Sequence, residues 1–110
     1  MAKYERYFQG NFDAALRQLH NGILSGSATA SFEDGSDFSA GEFRCAVRVY
    51  ERYSATGGNR LSASVTLAGK GENLFLSVIT AGGSQGILFK INLFGEEAFL
   101  NAIREIAERL

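Results

Sequence analysis

Alternation of apolar and polar residues along the middle of the chain constrains the fold more than any other feature. Residues 42–53 and 60–68 alternate with a period of two, which is the period of side chains along a β-strand. Turn residues follow each segment, at 56–59 (Thr-Gly-Gly-Asn) and 69–71 (Gly-Lys-Gly). The chain has no proline, so every strand residue can donate its N–H to a ladder. Because short turns join strands antiparallel, the pattern predicts an antiparallel meander.

Further segments extend the predicted sheet. Residues 2–9 alternate charged with aromatic side chains, and residues 27–33 alternate small polar with apolar ones. Residues 73–81 are apolar on both faces, which is typical of a strand that is covered twice or that faces a partner. We also predict a turn at residues 34–37 (Asp-Gly-Ser-Asp) and a last or bent strand at residues 87–91.

Two amphipathic helices are predicted, one before and one after the meander in the sequence. Asn11 is a suitable N-cap for the first helix, and its apolar residues share one side at helical spacing: Phe12, Ala15, Leu16, Leu19 and Ile23. Glu96 and Glu97 lie near the start of the second helix, where the helix dipole favours negative charge. Its apolar stripe comprises Phe99, Ala102, Ile103, Ile106 and Leu110.

The element order is therefore β-α-β(4–5)-α. A two-layer α+β sandwich buries all of the apolar surfaces most simply, with a curved antiparallel sheet of five or six strands and both helices packed on one face. Residues 1–110 contain no linker, so we expect a single domain. The order is similar to that of the helix-grip (START-like) fold and of the TATA-binding-protein-like fold, although no motif supports either similarity.

Three segments resemble a family of short bacterial proteins of unknown function. They are residues 50–60 (YERYSATGGNR), 79–85 (ITAGGSQ) and 90–100 (KINLFGEEAFL). The resemblance covers essentially the whole chain. It implies a bacterial cytoplasmic protein, and it brings no activity, cofactor or catalytic residue that can be carried over.

Composition excludes several kinds of site. One cysteine and one histidine cannot form an internal disulfide or a zinc site, so we expect no metal and no cofactor. The chain lacks the apolar run of a signal peptide and the apolar span of about 20 residues that a membrane helix needs. We therefore expect a cytoplasmic protein without a membrane partner. No arrangement of a nucleophile with a base is visible, which favours a binding protein over an enzyme.

Arginines form the main polar pattern of the segment at residues 42–53. By alternation, Arg44, Arg48 and Arg52 share one side of this strand, which we expect to be the uncovered side of the sheet. Tyr50 lies between the last two, and Arg60 is expected across the hairpin. Guanidinium groups beside an aromatic ring suit carboxylate, phosphate or nucleic-acid contacts. The alternative is a solvated face on which the arginines pair with carboxylates of neighbouring strands.

Glu51 is a separate candidate. By alternation it continues the apolar row of the same strand, where an unpaired carboxylate is costly. Either the strand ends or bulges before Glu51 and the carboxylate lies near solvent, or Glu51 meets a cation or a ligand from the inner side of the sheet. In the second case we expect a raised pKa and a partner such as Arg60 or His20.

Three classes of function remain open. The first is a non-enzymatic binding or assembly module that forms a homodimer, because two helices cannot cover both faces of the sheet. The second is binding of polyanions or nucleic acid by the arginine face, which the net charge of −1 disfavours. The third is a carrier of a small apolar ligand, with a pocket between the sheet and the C-terminal helix formed by Phe43, Leu61, Leu76, Phe89, Phe99 and Ile103.

Overall fold

Successive antiparallel hairpins form the middle of the chain, as the alternation predicts. A computed structural model describes residues 1–54, 58–82 and 89–110, without the side chains of residues 89–94. Its elements, in chain order, are β1 (Ala2–Gln9), α1 (Phe12–Ser25), β2 (Ser31–Ala40), β3 (Phe43–Tyr53), β4 (Arg60–Lys70), β5 (Asn73–Gly82) and α2 (Phe89–Ala107). Gly41 and Gly71 each have a φ of 60°, and they make the tight turns from β2 to β3 and from β4 to β5.

The described strands form one antiparallel sheet in the order β1-β5-β4-β3-β2. The N-terminal strand therefore lies at one edge beside β5, and β2 forms the other edge. This five-stranded sheet with two helices confirms the predicted α+β class. Within the described residues, no helix is both long enough and apolar enough to cross a membrane.

Both helices contribute their apolar stripes to one core on one face of the sheet. Asn11 caps α1, because its side-chain oxygen accepts a hydrogen bond of 2.8 Å from the backbone N–H of Ala14. The helices bury Phe12, Ala15, Leu19, Ile23, Phe99, Leu100, Ile103, Ile106 and Ala107. The sheet contributes Ala46, Tyr50, Leu61, Ala63, Val65, Leu67, Leu74, Leu76 and Val78.

Two local predictions are wrong. Residues 34–37, predicted as a turn, lie within β2, where pairing with β3 continues on both sides of a bulge between Phe32 and Asp34. The ladder with β3 outweighs the turn preference of these residues. The predicted strand at residues 87–91 is also wrong, because α2 begins at Phe89; residues 87 and 88 lie outside the described residues.

The predicted faces of β3 are inverted. Tyr50 pairs with Ala63 and Ala46 pairs with Leu67, and these four side chains are buried beneath the helices. Since paired residues share a face, the pairing with β4 decides which side of β3 is covered. The prediction that the arginines of β3 line the uncovered side is therefore wrong. Arg44, Arg48 and Arg52 lie on the helix side, in the same row as Ala46 and Tyr50.

Candidate functional site

The side of the sheet opposite the helices is here called the outer face, and no described element covers it. Its most apolar part is one row that crosses all five strands, because the register places these residues directly opposite one another. We call this set the aromatic row: Tyr7, Phe75, Ala68, Cys45 and Phe38.

Aromatic rings stand at both ends of this row. On one side, the rings of Tyr7 and Phe75 lie 4.8 Å apart, and on the other, those of Phe38 and Phe43 lie 6.4 Å apart. Exposed fractions are 82% for Tyr7, 61% for Phe38 and 39% for Phe43. The small side chain of Ala68 lies between the two groups and lines an open pocket of about 650 Å³. The outer face therefore carries an exposed aromatic depression.

The remainder of the outer face has an uncharged centre and charged edges. In the centre lie serines, a threonine and aliphatic residues of β3, β4 and β5: Val47, Val49, Ser62, Ser64, Thr66, Ser77 and Ile79. Lys3 and Glu5 lie on the edge strand β1, and Asp34 lies on the edge strand β2. Charged residues are likewise depleted at the centre of protein–protein interfaces and lie at the rim.

Arg60 and Glu51 lie at one end of the outer face and form an ion pair. Arg60 also contacts Glu33 of β2, with 3.4 Å between Nη2 and Oε1. Arg60, one of the two partners considered from the sequence, therefore pairs with Glu51 on the outer face and not from the inner side of the sheet. Because both side chains belong to the outer face, the pair does not contribute to the helix-side core.

On the helix side, Arg44 connects β3 to the start of α1. Its guanidinium lies 4.2 Å from the centroid of the Phe12 ring, and Nη1 donates a 2.9 Å hydrogen bond to Oδ2 of Asp13. This bond lowers the pKa of the Asp13 carboxyl and raises the pKa of Arg44. Arg44 is thus held by an aromatic ring and a carboxylate.

Arg48 crosses the edge strand β2. Its Nη2 donates to both carboxylate oxygens of Asp37, at 3.0 and 3.2 Å, and its Nη1 donates to the carbonyl of Val47 at 2.9 Å. Gly35 lies opposite Arg48 in the ladder and has no side chain in the path of the guanidinium. The arginine therefore binds the edge strand to β3.

Tyr50 occupies the centre of the same row and is only 1% exposed. Its hydroxyl shares a 2.8 Å hydrogen bond with Nδ1 of His20 on α1. Phe32 of β2 packs against both rings, with centroids 5.4 Å from His20 and 5.8 Å from Tyr50. Burial raises the pKa of Tyr50 to about 12, so its hydroxyl stays protonated at neutral pH. The alternation of apolar and polar residues does not predict this cluster, because the cluster depends on how α1 packs against β3.

Arg52 differs from the other two arginines of the row. Its guanidinium lies 4.6 Å from the centroid of the Phe99 ring on α2. Its Nε is buried and has no hydrogen-bond acceptor among the described residues. Burial lowers the pKa of the Arg52 guanidinium.

The structure does not bring the six residues of the predicted apolar pocket together. Leu61, Leu76, Phe99 and Ile103 are at most 2% exposed and belong to the packed core. Phe43 lies on the outer face, and the side chain of Phe89 lies outside the described residues. Over the described part of the chain, no three or more His, Cys, Asp and Glu side chains are grouped as metal ligands would be.

Comparison with known proteins identifies a family for this chain, and that family has no known activity. The family model described as "Family of unknown function (DUF6054)" matches residues 1–110. No curated protein and no solved structure matches this chain.

Proposed function

We propose that this chain, which belongs to the DUF6054 family of unknown function, is a non-enzymatic assembly module that forms a homodimer through the outer face of its sheet. The main support is the aromatic row, whose exposed rings and open pocket lie on the one side of the sheet that the helices leave uncovered. Large apolar patches of this kind on a soluble protein mark interaction sites.

The area of the outer face fits a second copy of the chain. The strands are 8 to 11 residues long. With about 3.3 Å per residue and about 4.8 Å between strands, the five strands present roughly 800 Å². A stable dimer of standard size buries about 800 Å² on each partner. The contact between two outer faces is therefore large enough for a stable dimer.

The shape and charge of the face also suit a two-fold contact. In such a contact the same patch serves on both subunits, so a large group must meet a small one. The outer face offers both, because Phe75 of the aromatic row and the nearby Phe43 flank the depression at Ala68. In the proposed dimer, a ring from one subunit lies over Ala68 of the other. The charges at the two edges remain at the rim, where they stay hydrated.

The arginines support polyanion binding less than the sequence implied. Asp13 and Asp37 neutralise Arg44 and Arg48, which lie on the helix side. Arg60 lies on the outer face and is engaged by Glu33 and Glu51. The outer face therefore has no row of free guanidinium groups for phosphates, and assembly is the better supported of the two functions.

Replacement of Ala68 by glutamate tests the dimer. Sedimentation velocity should give a dimer for the wild type at about 10 µM, since interfaces of this size bind at micromolar or tighter concentrations. Ala68→Glu places a charge at the centre of the interface but leaves it in water in the monomer, so the variant should be a folded monomer. Circular dichroism checks the fold.

Ala14→Glu is the matched control. Ala14 is exposed in the first turn of α1, on the opposite layer from the outer face, where an acidic residue is well tolerated. This variant should remain dimeric. A monomeric wild type, or an Ala68→Glu variant that is as dimeric as the wild type, would contradict the proposed interface.

A further inference from the structure

Arg52 is the member of the arginine row without a counter-charge among the described residues. Arg48 and Arg44 lie on the same side of β3, four and eight residues before Arg52, and each is paired with an aspartate. The guanidinium of Arg52 lies over the ring of Phe99, but an aromatic ring is not a hydrogen-bond acceptor for its five N–H donors. Its buried Nε has no acceptor in the described part of the chain. Buried donors without partners are rare in proteins, so this one needs an explanation.

The guanidinium of Arg52 lines a groove between the C-terminal part of α1 and the helix α2. The groove has a volume of about 300 Å³. The helices approach closely there, since a Cβ on Gly22 would lie 2.8 Å from Cδ1 of Ile106. The apolar lining consists of Ile23, Phe99, Ala102, Ile103 and Ile106. The groove therefore places apolar side chains beside a cation that has no counter-charge among the described residues.

The charge of the groove is complementary to one negative charge. Besides Arg52, its charged lining residues are Glu105 and Arg109, which are both exposed. Ser25 also lines it, but its hydroxyl already donates to the carbonyl of Gly22 at 3.4 Å. Two cations and one carboxylate leave a net charge of +1, which a monoanion neutralises.

We propose that this groove binds a small amphipathic carboxylate, with its carboxylate on Arg52 and its apolar part along Ala102 and Ile106. The planar fork of a guanidinium matches the two oxygens of a carboxylate. At the roughly 30 Å³ that one water molecule occupies in the liquid, the groove has room for roughly ten water-sized groups. That size corresponds to a medium-chain or small aromatic monocarboxylate. The lowered pKa of Arg52 is consistent with a desolvated cation that a bound anion would stabilise.

Calorimetric titration with octanoate tests the proposal. Octanoate should bind the wild-type protein, whereas octylammonium and 1-octanol should bind at least about tenfold more weakly, because neither supplies the charge-assisted bonds to Arg52. Arg52→Met keeps an apolar stem of similar length, and it should weaken octanoate binding at least about tenfold. Ala102→Phe fills the groove and should remove binding while Arg52 is intact.

Arg44→Met is the matched control, because Arg44 lies on the same strand and face but is already paired with Asp13. Its affinity for octanoate should equal that of the wild type. Ala68→Glu, which alters the aromatic depression of the outer face, should also bind octanoate normally, so failure of the dimer and failure of this site are distinguishable. The proposal would be overturned if the wild type did not bind octanoate or if Arg52→Met bound it with unchanged affinity. Binding of 1-octanol with the same affinity as octanoate would overturn it as well.

Discussion

Nδ1 of His20 lies 2.8 Å from the hydroxyl oxygen of Tyr50, and this hydrogen bond connects α1 to the centre of β3. The phenol is buried, so its hydroxyl needs a partner inside the protein. Phe32 packs edge-on against the histidine ring at an interplanar angle of 73° and covers the pair from the side of β2. The lone histidine of the chain thus has a structural role at the junction of helix and sheet.

Replacement of Tyr50 by phenylalanine should lower the free energy of unfolding by about 1 kcal/mol at neutral pH. The variant keeps the ring in the core but removes the hydrogen bond to His20. Urea unfolding of the two proteins measures the difference. Tyr53→Phe is the control, because Tyr53 is 52% exposed and its change should have little effect.

The same pair predicts a pH dependence. The pKa of Tyr50 is raised from 10.0 to about 12 by burial, so the folded state holds its proton more tightly than the unfolded state. This contribution to stability is complete below pH 10 and is lost as the pH rises toward 12. The stability of the wild type should therefore fall relative to that of Tyr50→Phe over this range. Parallel curves for the two proteins would show that the phenol titrates normally.

Gly35→Ala should displace Arg48 from Asp37. A Cβ at Gly35 would lie 2.9 Å from Cδ of Arg48 and 3.0 Å from both Nη1 of Arg48 and the carbonyl oxygen of Val47. The arginine side chain can move, but only by giving up its bonds across β2. We expect a loss of about 1–2 kcal/mol in thermal or urea unfolding.

Two comparisons isolate the cause of this loss. Ser36→Ala alters the next residue of β2, on the outer face, and should cost much less. In an Arg48→Ala background, Gly35→Ala should also cost less, because the displaced side chain is absent. An equal cost in both backgrounds would assign the effect to the backbone of β2 instead of to the arginine.

The sequence pattern predicted those elements whose two sides differ clearly. Phe12, Leu19 and Ile23 on α1 are apolar at one helical spacing, and Leu61 and Leu67 on β4 alternate with small polar residues. In both elements the apolar side is the buried side. Local sequence therefore determined the helix, the strand and the face that each buries.

The faces of β3 could not be obtained in this way. Its uncovered side has Val47 and Val49, which are more apolar than the arginines on the covered side. The pairing of Tyr50 with Ala63 overrides this local preference, and it depends on register between strands. The aromatic row needs the registers of all four strand pairs, which single-strand periodicity does not contain. The groove at Arg52 could not be anticipated either, because it depends on how the two helices pack against each other.

Gly69→Ala should be more damaging than Gly71→Ala, although Gly71 has the unusual backbone conformation. A Cβ at Gly69 would overlap the carbonyl oxygen of Asn73 and lie 2.9 Å from Cα of Leu74. Both atoms belong to the backbone of the hairpin, which cannot move aside without breaking the ladder. We expect a loss of about 2–4 kcal/mol in urea unfolding.

Gly71 provides the comparison within the same turn. Its φ is 60°, and a Cβ there would meet nothing within 4 Å, so alanine adds only backbone strain of about 1–2 kcal/mol. Gly69→Ala and Gly71→Ala add the same methyl group two residues apart. If Gly71→Ala proved the more destabilising, it would contradict the prediction that the close approach of the two strands at Gly69 leaves no room for a methyl group.

Glu96→Ala should loosen the attachment of α2 to the end of β5. The carboxylate of Glu96 is buried, its Oε1 accepts a 2.7 Å hydrogen bond from the N–H of Gly82, and its Oε2 pairs with the ammonium of Met1. The hydroxyl of Thr80 donates to the carbonyl of Glu96 at 2.9 Å, a bond that the substitution leaves in place. Since a hydrogen bond to a charged group contributes about 1.5–3 kcal/mol, we expect a loss of about 2 kcal/mol in urea unfolding.

Glu96→Gln separates the hydrogen bond at this junction from the charge. The amide oxygen of glutamine can still accept from Gly82, so the loss should be smaller than for alanine. Glu97→Gln, one residue further along α2 and exposed, should leave the stability unchanged within about 0.5 kcal/mol. Hydrogen exchange locates the effect, because the amide of Gly82 should exchange faster in Glu96→Ala than in Glu96→Gln. Equal exchange rates in the two variants would mean that the carboxylate does not hold the strand end to α2.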